Sequence, residues 1–451
     1  IKFKYEGANE TVLKKNELVL KTNFGLIKEF QPFTYQNLNK QKKRINSAFK
    51  LSDDYISFQI AEYNHNQELI IDPELVFSTY SGSLSDNWSH TATYDSKGNT
   101  YAAGTVFGVN FPVSLNAYQP KSGGTTTQND IGYRTDIVIV KYSDDGSDIL
   151  YSTFLGGNES EVPHSLIVNS KDELVIFGTT SSSNFPMTSN SFDQSFNGGT
   201  FLNGPPITTN IAFFSGTDIF VSVLSVNGDR LLGSTYMGGS ENDGIHDFRA
   251  LEIQNYGDEF RGEVYVDALD NIYVASVSTS ANFPVIAAIQ TKKSTFDAVI
   301  FKLNMYCNQL LFSTFIGGNN YDAAYGIRVD KSNAIYVCGV TLSKDFPISN
   351  QAFRKTMGGD TEGFILKIEN QKLISSTYIG TSKGDLTHLI DLDSEDNVYV
   401  LGSTLGEYPV SNGVYQNAKS GQFVQVLSNN LSNAKFSSIF GTGRGFGTVD
   451  L

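Results

Sequence analysis

The chain has 451 residues, enough for a large core, and 40% of them are hydrophobic. Its net charge is −14, although the first 50 residues hold 11 Lys/Arg against 4 Asp/Glu. The strong acidity of the remainder argues against nucleic acid as a ligand. No apolar run has the length of a membrane-spanning helix. The two cysteines, Cys307 and Cys338, predict buried or half-buried thiols more than a disulfide.

Residues 1–74 predict a separate β-rich module, or the end of one, because they lack the repeat found downstream. A turn is predicted at Asn23-Phe24-Gly25. The basic run Lys40–Arg44 is interpreted as a solvated loop. Apolar, β-branched segments predict strands at Glu17–Lys21, Leu26–Phe30, Ile45–Leu51, Tyr55–Ile60 and Leu69–Ile71.

The second predicted domain, residues 75–451, repeats one phrase, a Ser-Thr-aromatic triplet followed by glycine. Its copies are Ser78-Thr79-Tyr80, Ser152-Thr153-Phe154, Ser234-Thr235-Tyr236, Ser313-Thr314-Phe315, Ser376-Thr377-Tyr378 and a degraded Ser437-Ser438-Ile439. An Asp or Asn follows the first Ser at +17, a Gly at +26 and an aromatic-Pro pair at +32 or +33. The third repeat fits if 16 residues are inserted before Asp267, with Ser276 in the glycine position. Such self-similarity indicates an array of one supersecondary unit.

Each unit predicts four short strands, here named A to D in chain order. In the fourth unit they are Gly326–Val329, Ile335–Val340, Phe364–Ile368 and Leu373–Tyr378. The aromatic-Pro pair falls between B and C, since proline cannot donate to a sheet ladder. Repeated four-stranded antiparallel units without a long helical period predict an all-β fold, a β-propeller. The alternative is a stack of β-sandwiches, for which each unit has too few strands.

The array is predicted to hold five complete blades and a partial blade at each end. Leu75–Tyr80 is interpreted as a D strand without its A, B and C strands. Phe446–Leu451 is interpreted as an A strand with nothing after it. The full protein is therefore expected to continue past both ends, with six to seven or more blades.

Four of the five histidines share one position, +12 from the first Ser of the phrase. The series is His90, His164, His246, Tyr325 and His388. Because this position opens strand A, which usually lines a propeller channel, the series predicts a ring of side chains at one channel mouth. Such a ring could bind a metal ion, or an anion once the imidazoles are protonated. The alternative is that each imidazole bonds the backbone of the neighbouring blade, and whether a metal binds stays open.

The B–C loops of the first two repeats are long, at Lys121–Arg134 and Gly198–Gly216. They are expected on the same face as the histidine position, where loops on a rigid scaffold tend to form binding sites; the alternative is surface decoration. No cofactor is predicted, and calcium at the acidic turns Asp144–Asp148 and Asp391–Asn397 is a minor alternative. Candidate binding residues in the loops are Tyr133, Arg134, Phe201, Asn203, Phe213 and Phe214.

Several strings resemble the SBBP repeat, a bacterial β-propeller repeat, over residues 75–451. They are Phe77–Gly82, Asn184-Phe185-Pro186, Phe312–Gly318 and Asn397–Gly402. The segment Ile1–Pro73 looks like the end of an uncharacterised β-module that often precedes such repeats. The resemblance implies a large exported bacterial protein, often attached to the cell surface. Relatives in gliding bacteria commonly end in a sorting domain for type IX secretion, which is not seen in this sequence, and the family supplies no catalytic residues.

The sequence favours a non-catalytic, exported propeller that presents loops to a glycan or protein partner, as an adhesin or assembly scaffold. Secretion or outer-membrane machinery is a further expected partner. The alternatives are a carbohydrate-active lyase or hydrolase with carboxylates at the channel mouth, and a passive spacer. Acidic residues with shifted pKa values in one pocket would favour the enzyme. The sequence holds no Gly-x-Ser-x-Gly or His-Glu-x-x-His motif.

Overall fold

In the computed structural model the chain forms two compact units, residues 1–79 and 80–451. The structure describes all residues except 1, 6, 7, 9, 16, 23, 24, 39, 40, 53, 54, 73–81, 125–133, 203–210, 247–250, 252–257, 293 and 442–451. The predicted turn at 23–25 and the predicted strands at 75–80 and 446–451 therefore lie wholly or mainly outside the described residues. No helix in the described part has the length and apolar character that crossing a membrane requires.

The described residues of the N-terminal unit form three antiparallel sheets of three strands each, ordered β1-β8-β7, β2-β3-β4 and β6-β5-β9. Buried Leu18, Leu20, Phe49 and Ile56 form a core shared by the first two of these sheets. The strands are β1 (Lys2–Phe3), β2 (Glu10–Lys14), β3 (Glu17–Thr22), β4 (Gly25–Glu29), β5 (Phe33–Leu38), β6 (Gln41–Arg44), β7 (Ser47–Ser52), β8 (Tyr55–Ile60) and β9 (Ile70–Asp72).

The prediction of a loop at Lys40–Arg44 is wrong, because Gln41–Arg44 is strand β6 and pairs with β5. All four β6 side chains are exposed. The charges therefore stay in water on an edge strand, where lysines also discourage pairing with other chains. The five predicted strands correspond to β3, β4, β7, β8 and β9, whereas β1, β2, β5 and β6 were not predicted.

The second unit contains five four-stranded antiparallel sheets, each ordered A-B-C-D. This is the predicted β-propeller of four-stranded blades. Blades 1 and 2 are β10 (Asn87–Tyr94), β11 (Thr100–Val106), β12 (Asp136–Tyr142), β13 (Ile149–Leu155), and β14 (Glu161–Val168), β15 (Leu174–Thr180), β16 (Asp218–Leu224), β17 (Leu231–Met237). Blade 3 is β18 (Glu263–Val266), β19 (Ile272–Ser278), β20 (Asp297–Leu303) and β21 (Leu310–Ile316), preceded by a 3-10 turn at Asp258–Phe260. Blades 4 and 5 are β22 (Asp322–Val329), β23 (Ile335–Thr341), β24 (Glu362–Glu369), β25 (Lys372–Ile379), and β26 (Asp385–Leu392), β27 (Val398–Thr404), β28 (Gln422–Leu427), β29 (Ala434–Phe440).

Neighbouring blades enclose apolar cores between their faces. Phe177 and Val221 of blade 2, for example, pack with Val274 and Phe301 of blade 3, and all four are completely buried. Because the middle strands are buried on both faces, they read as continuous apolar runs rather than as alternating ones. The innermost strands also contact one another from blade to blade, in the order β10, β14, β18, β22 and β26.

The repeated Ser and Thr tie each B–C loop to strand D of the same blade. In blade 3 the Ser313 hydroxyl donates to the carbonyl oxygen of Pro284 at 2.7 Å. The Thr314 hydroxyl accepts from the backbone N–H of Ile289 at 2.9 Å. The aromatic-Pro pair and the Ser-Thr pair are thus two halves of one contact, which explains why they recur together.

The Asp or Asn at +17 closes the A–B turn. In blade 4 the Asp330 carboxylate accepts from the N–H groups of Ser332 at 2.8 Å and Ala334 at 2.9 Å. Asp95, Asn169, Asp267 and Asp393 make the same pair of bonds in their blades. A side chain that accepts two turn N–H groups favours this turn over continued pairing.

Replacing Ser313 with Ala should lower the free energy of unfolding by about 1–3 kcal/mol, because the half-buried Pro284 carbonyl loses the donor that the fully buried Ser313 provides. Urea denaturation of the Ser313→Ala protein measures the effect. Ser195→Ala, at an exposed serine, is the matched control and should change stability by less than about 0.5 kcal/mol. Equal losses in the two variants would contradict the assigned role.

Candidate functional site

The histidine position coincides with a β-bulge in the innermost strand. In blades 1, 2, 4 and 5, strand A skips one residue in its pairing with strand B. A bulge leaves one residue unpaired and can redirect its side chain. The unpaired residues are His90, His164, Tyr325 and His388.

The glycine at +26 permits this bulge. A methyl group on Gly339 would collide with the carbonyl oxygen of Ala323, two residues before Tyr325. The same carbonyl approach occurs at Gly104, Gly178 and Gly402. Strand A can therefore lie this close to strand B only where strand B has no side chain.

Blade 3 shows the converse. Ser276 replaces the glycine, and the described residues of β18 pair with β19 in unbroken register. His246 therefore lies before the inserted residues and outside the strand. Its backbone N–H donates to the carbonyl oxygen of Glu259 at 3.0 Å.

Residues of all five described blades line a cavity of about 460 Å³. This volume is within the usual range for small-molecule sites, roughly 300–1,000 Å³. The described lining includes Trp88–Ala92 of blade 1, Pro163–Leu166 of blade 2, 258 and 260–263 of blade 3, Tyr325 of blade 4, and His388 and Leu389 of blade 5.

The three imidazoles of the cavity wall are held by hydroxyl groups on strand B of their own blade. The Nε2 atoms of His90, His164 and His388 lie 3.0, 3.1 and 2.9 Å from the hydroxyls of Thr105, Thr179 and Ser403. The predicted alternative, a bond to the neighbouring blade's backbone, is therefore wrong for these residues. Each hydroxyl follows its histidine by 15 residues, and Val340 occupies that position after Tyr325.

Two of these imidazoles have a second ring nitrogen without a hydrogen-bond partner among the described residues. The Nδ1 atoms of His164 and His388 are buried and have no hydrogen-bond partner among the described residues. Burial lowers the pKa of both imidazoles well below the usual value and lowers that of His90 to about 4. The lowered pKa values favour neutral imidazoles at neutral pH, and anion binding by protonated imidazoles stays a prediction for acidic pH.

His246 differs from the rest of the series. It is completely buried outside the described cavity lining. Its Nε2–H donates to the carbonyl oxygen of Arg261 at 2.5 Å, and its Nδ1 lies 3.4 Å from the Tyr321 hydroxyl. Burial lowers its pKa to about 3. Its role is to anchor the blade 3 insertion.

Aromatic rings separate the imidazoles. The Phe260 ring centroid is 5.8 Å from each of the His90 and His164 rings. Tyr325 lies between His246 and His388, at 5.1 and 6.4 Å. Within the described residues, no three His, Cys, Asp or Glu side chains are grouped closely enough to hold a metal ion.

The charges around the cavity compensate one another. Arg261 Nε lies 2.6 Å from Asp258 Oδ1. Glu263 Oε1 lies 2.6 Å from Arg328 Nη1, and Arg328 also reaches Asp391 at 3.4 Å. The wall therefore combines neutral imidazoles, hydroxyls and ion pairs with the aromatic faces of Trp88 and Phe260.

The long loops bring several candidate residues together. Arg134 binds Glu159 at 2.8 Å and places its guanidinium 4.9 Å from the Phe214 ring centroid, which is 5.6 Å from Phe201. Phe213 is buried in a cluster with Val162, Phe260 and Trp88, beside the start of the cavity-lining strands. Of the remaining candidates, Tyr133 and Asn203 lie outside the described residues.

The structure also shows a recurring group that the sequence reasoning missed, a pair of buried carboxyl groups at each of four blade junctions. One carboxyl opens strand C. The other opens strand A of the next blade in three of the pairs, whereas in the pair with Asp218 it is Asp243, which lies before the blade 3 insertion and forms an isolated bridge with Ser278. The pairs are Asp136 with Glu161, Asp218 with Asp243, Asp297 with Asp322, and Glu362 with Asp385. The sequence does contain a signal for these pairs. The second carboxyl residue of each pair stands nine positions after the first Ser of the repeated phrase.

Comparison with family models matches residues 1–74 to a domain of unknown function, DUF7948. The search of curated proteins gives no match. Among solved structures, a Dyadobacter fermentans protein of unknown function is 10% identical, with a TM-score of 0.39, over 81% of this chain and 84% of that one. The NanB sialidase of Streptococcus pneumoniae is 9% identical, with a TM-score of 0.42, over 93% and 80%.

A third solved structure, the Dos1 propeller, is 10% identical, with a TM-score of 0.34, over 80% of this chain and 74% of that one. The similar structures thus include an enzyme and a protein of unknown function. At these identities and TM-scores, they carry no argument about what this protein binds or does.

Replacing Gly339 with Ala should lower the free energy of unfolding by about 2–3 kcal/mol, because the new methyl group overlaps the Ala323 carbonyl. Thermal and urea unfolding of Gly339→Ala measure the loss. Ser276→Ala is the control at the equivalent place in blade 3, where the buried hydroxyl has no hydrogen-bond partner among the described residues. A Gly339→Ala protein as stable as Ser276→Ala would refute the bulge-glycine contact.

Proposed function

We propose that this propeller is a non-catalytic recognition module that binds an uncharged, hydroxyl-rich ligand, such as the end of a glycan chain, in its central cavity. The observation that carries the proposal is the pair of buried Nδ1 atoms on His164 and His388, which have no partner in the described structure. A buried polar atom without a partner is costly, and a ligand hydroxyl would relieve that cost. Four other features of the cavity support the same interpretation: its volume, the balance of its charges, the aromatic rings in its wall, and the hydroxyl groups that hold its imidazoles.

The balance of charge favours a neutral ligand over an ionic one. Arg261 and Glu263, the cavity-lining cation and one of its anions, are each engaged by an opposite charge at 2.6 Å. A carboxylate or ammonium ligand would have to displace one of these pairs and would find no imidazolium to bind. A sugar hydroxyl can instead donate to or accept from a neutral imidazole.

Binding is favoured over catalysis by where the perturbed carboxyl groups lie. The junction pairs recur at four equivalent places, and none of their members is among the described cavity-lining residues. Burial raises the pKa of Glu263, which does line the cavity, but its carboxylate is held by Arg328. A carbohydrate-active enzyme remains the second candidate, because it would use the same cavity.

The setting of the module is also part of the proposal. The resemblance of residues 75–451 to SBBP repeats supports an exported bacterial surface protein, with the Arg134–Phe214–Phe201 group as a contact for a larger partner. Type IX secretion and gliding motility rest on that resemblance alone. No cofactor is proposed, and calcium at Asp391–Asn397 stays a prediction.

Binding of neutral, carboxylated and amino oligosaccharides to the full chain should be compared by glycan array, with calorimetry for each hit. The His164→Phe and His388→Phe variants keep ring volume and remove the nitrogen atoms. Each should weaken binding of a neutral glycan by about tenfold, the usual value of one neutral hydrogen bond.

The matched control is His65→Phe, which makes the same change at an exposed imidazole in the other unit. Unchanged affinity in both cavity variants, at unchanged melting temperature, would remove the cavity from the proposal. Release of shortened or unsaturated sugars on prolonged incubation would instead establish the enzyme.

A further inference from the structure

The four blade junctions suggest a second property, which does not depend on the proposed ligand. We propose that each junction holds one proton shared between its two carboxyl groups, and that losing these protons at alkaline pH loosens the contact between blades.

The geometry brings both carboxyl groups of a pair to one point. A methyl group on Gly317 would lie 2.8 Å from Asp297 Oδ1 and 2.7 Å from Asp322 Oδ2. Gly156, Gly238 and Gly380 are wedged between the carboxyl oxygens of the other three pairs in the same way. Glycine precedes each junction because any side chain would overlap both carboxyl groups.

All eight carboxyl-bearing residues are almost completely buried, none being more than 2% exposed. Two carboxylates so placed cannot both ionise without strong repulsion. A single proton resolves this, since a protonated carboxyl donates to its neighbour. Asp136 Oδ1 and Glu161 Oε2 both approach Gly156, and Asp136 Oδ1 has no hydrogen-bond partner among the described residues, so a shared proton would satisfy it.

The surroundings suit a proton better than a metal ion. The N–H groups of Gly239 and Asn197 donate to Asp243 and Asp218, each at 2.7 Å, and the Ser280 hydroxyl donates to Asp243 at 2.8 Å. Donors of this kind stabilise one negative charge and repel a cation. Calcium would require several oxygen ligands.

Blade 1 provides an internal comparison. Its strand A opens with Asn87, at the position where strand A of blades 2, 4 and 5 opens with the second carboxyl residue of a pair. A neutral amide stands there in place of a carboxyl group.

Other charged groups face some of the pairs. Lys292 interacts electrostatically with Asp243 and Asp297, and Asp193 does so with Asp218. Arg354 Nη2 lies 3.3 Å from Glu362 Oε1. The nearby tyrosines stay neutral, because burial raises their pKa values: Tyr236, Tyr378 and Tyr408. Asp136 and Glu161 therefore form the pair with least help from cations.

The direction of the pH effect follows from burial. Burial, together with the second carboxyl group, raises the pKa of Asp218 to about 8 and those of Asp322 and Glu362 to about 7. A group whose pKa is higher in the folded than in the unfolded state stabilises the fold at low pH and loses that contribution as pH rises through the folded value. The loss should therefore fall between about pH 6 and pH 9. The buried histidines act only below their ordinary pKa of about 6.5, so measurements above that pH exclude them.

The melting temperature of the full chain should fall by about 5 °C or more between pH 6.5 and pH 9 at constant ionic strength. Glu161→Gln and Asp218→Asn each remove one shared proton, so each should flatten this slope, and together they should flatten it further. Asp360→Asn makes the same acid-to-amide change at an exposed carboxylate of blade 4 and should leave the slope unchanged.

A slope that is identical in the parent and in both junction variants would overturn the proposal. So would a melting temperature at pH 7.5 that falls with EDTA and recovers with CaCl₂ in the parent but not in the variants, because a divalent ion would then replace the proton. If the variants fail to fold, infrared spectra of the parent decide the matter. The absorption of protonated carboxyl groups should be present at pH 6.5 and decline by pH 9, and its absence at pH 6.5 would exclude shared protons.

Discussion

The close approach of strand A to strand B is the constraint on which the centre of this propeller depends. A backbone carbonyl rests where a side chain would otherwise project from strand B, as at Ala323 over Gly339. That contact accommodates the bulge, and the bulged residue belongs to the cavity wall. In blade 3, where Ser276 takes the glycine position, the described residues of β18 pair with β19 without a bulge, and the described wall comes instead from inserted residues such as Arg261. The contact between the strand A carbonyl and the strand B glycine therefore determines which residues of a blade line the channel.

The fold could be predicted because its main signals are bonds inside a single repeat. Ser313 bonds to Pro284, and Asp330 bonds to the N–H groups of its own turn. Such contacts recur at fixed offsets, so each appears in the sequence as a repeated letter with a local cause. Strand positions followed from these landmarks, although strand A begins earlier than its apolar run suggests. In blade 4 the polar Asp322 opens it, because the carboxyl group turns toward the junction rather than toward water.

The site was less predictable, because its contacts join residues whose pairing depends on the bulge or on two different blades. The +12 series was visible, but offsets alone do not distinguish His164, which lines the cavity, from His246, which anchors an insertion. The carboxyl pairs were missed for a related reason. Asp136 and Glu161 are 25 positions apart in different blades, and an isolated acidic residue in a sequence suggests a solvated surface. Only packing shows that the two meet.

The junction acid and the cavity residue are three positions apart on the same strand. Glu161 precedes His164, and Asp385 precedes His388, and the bulge is at the histidine in each case. The first turns toward the preceding blade, whereas the second turns toward the channel. The position of the imidazole therefore depends on how firmly the start of strand A is held against the neighbouring blade. A blade that moved at its junction would carry its part of the cavity wall with it, so the stability of the ring and the shape of the cavity rest on the same few residues.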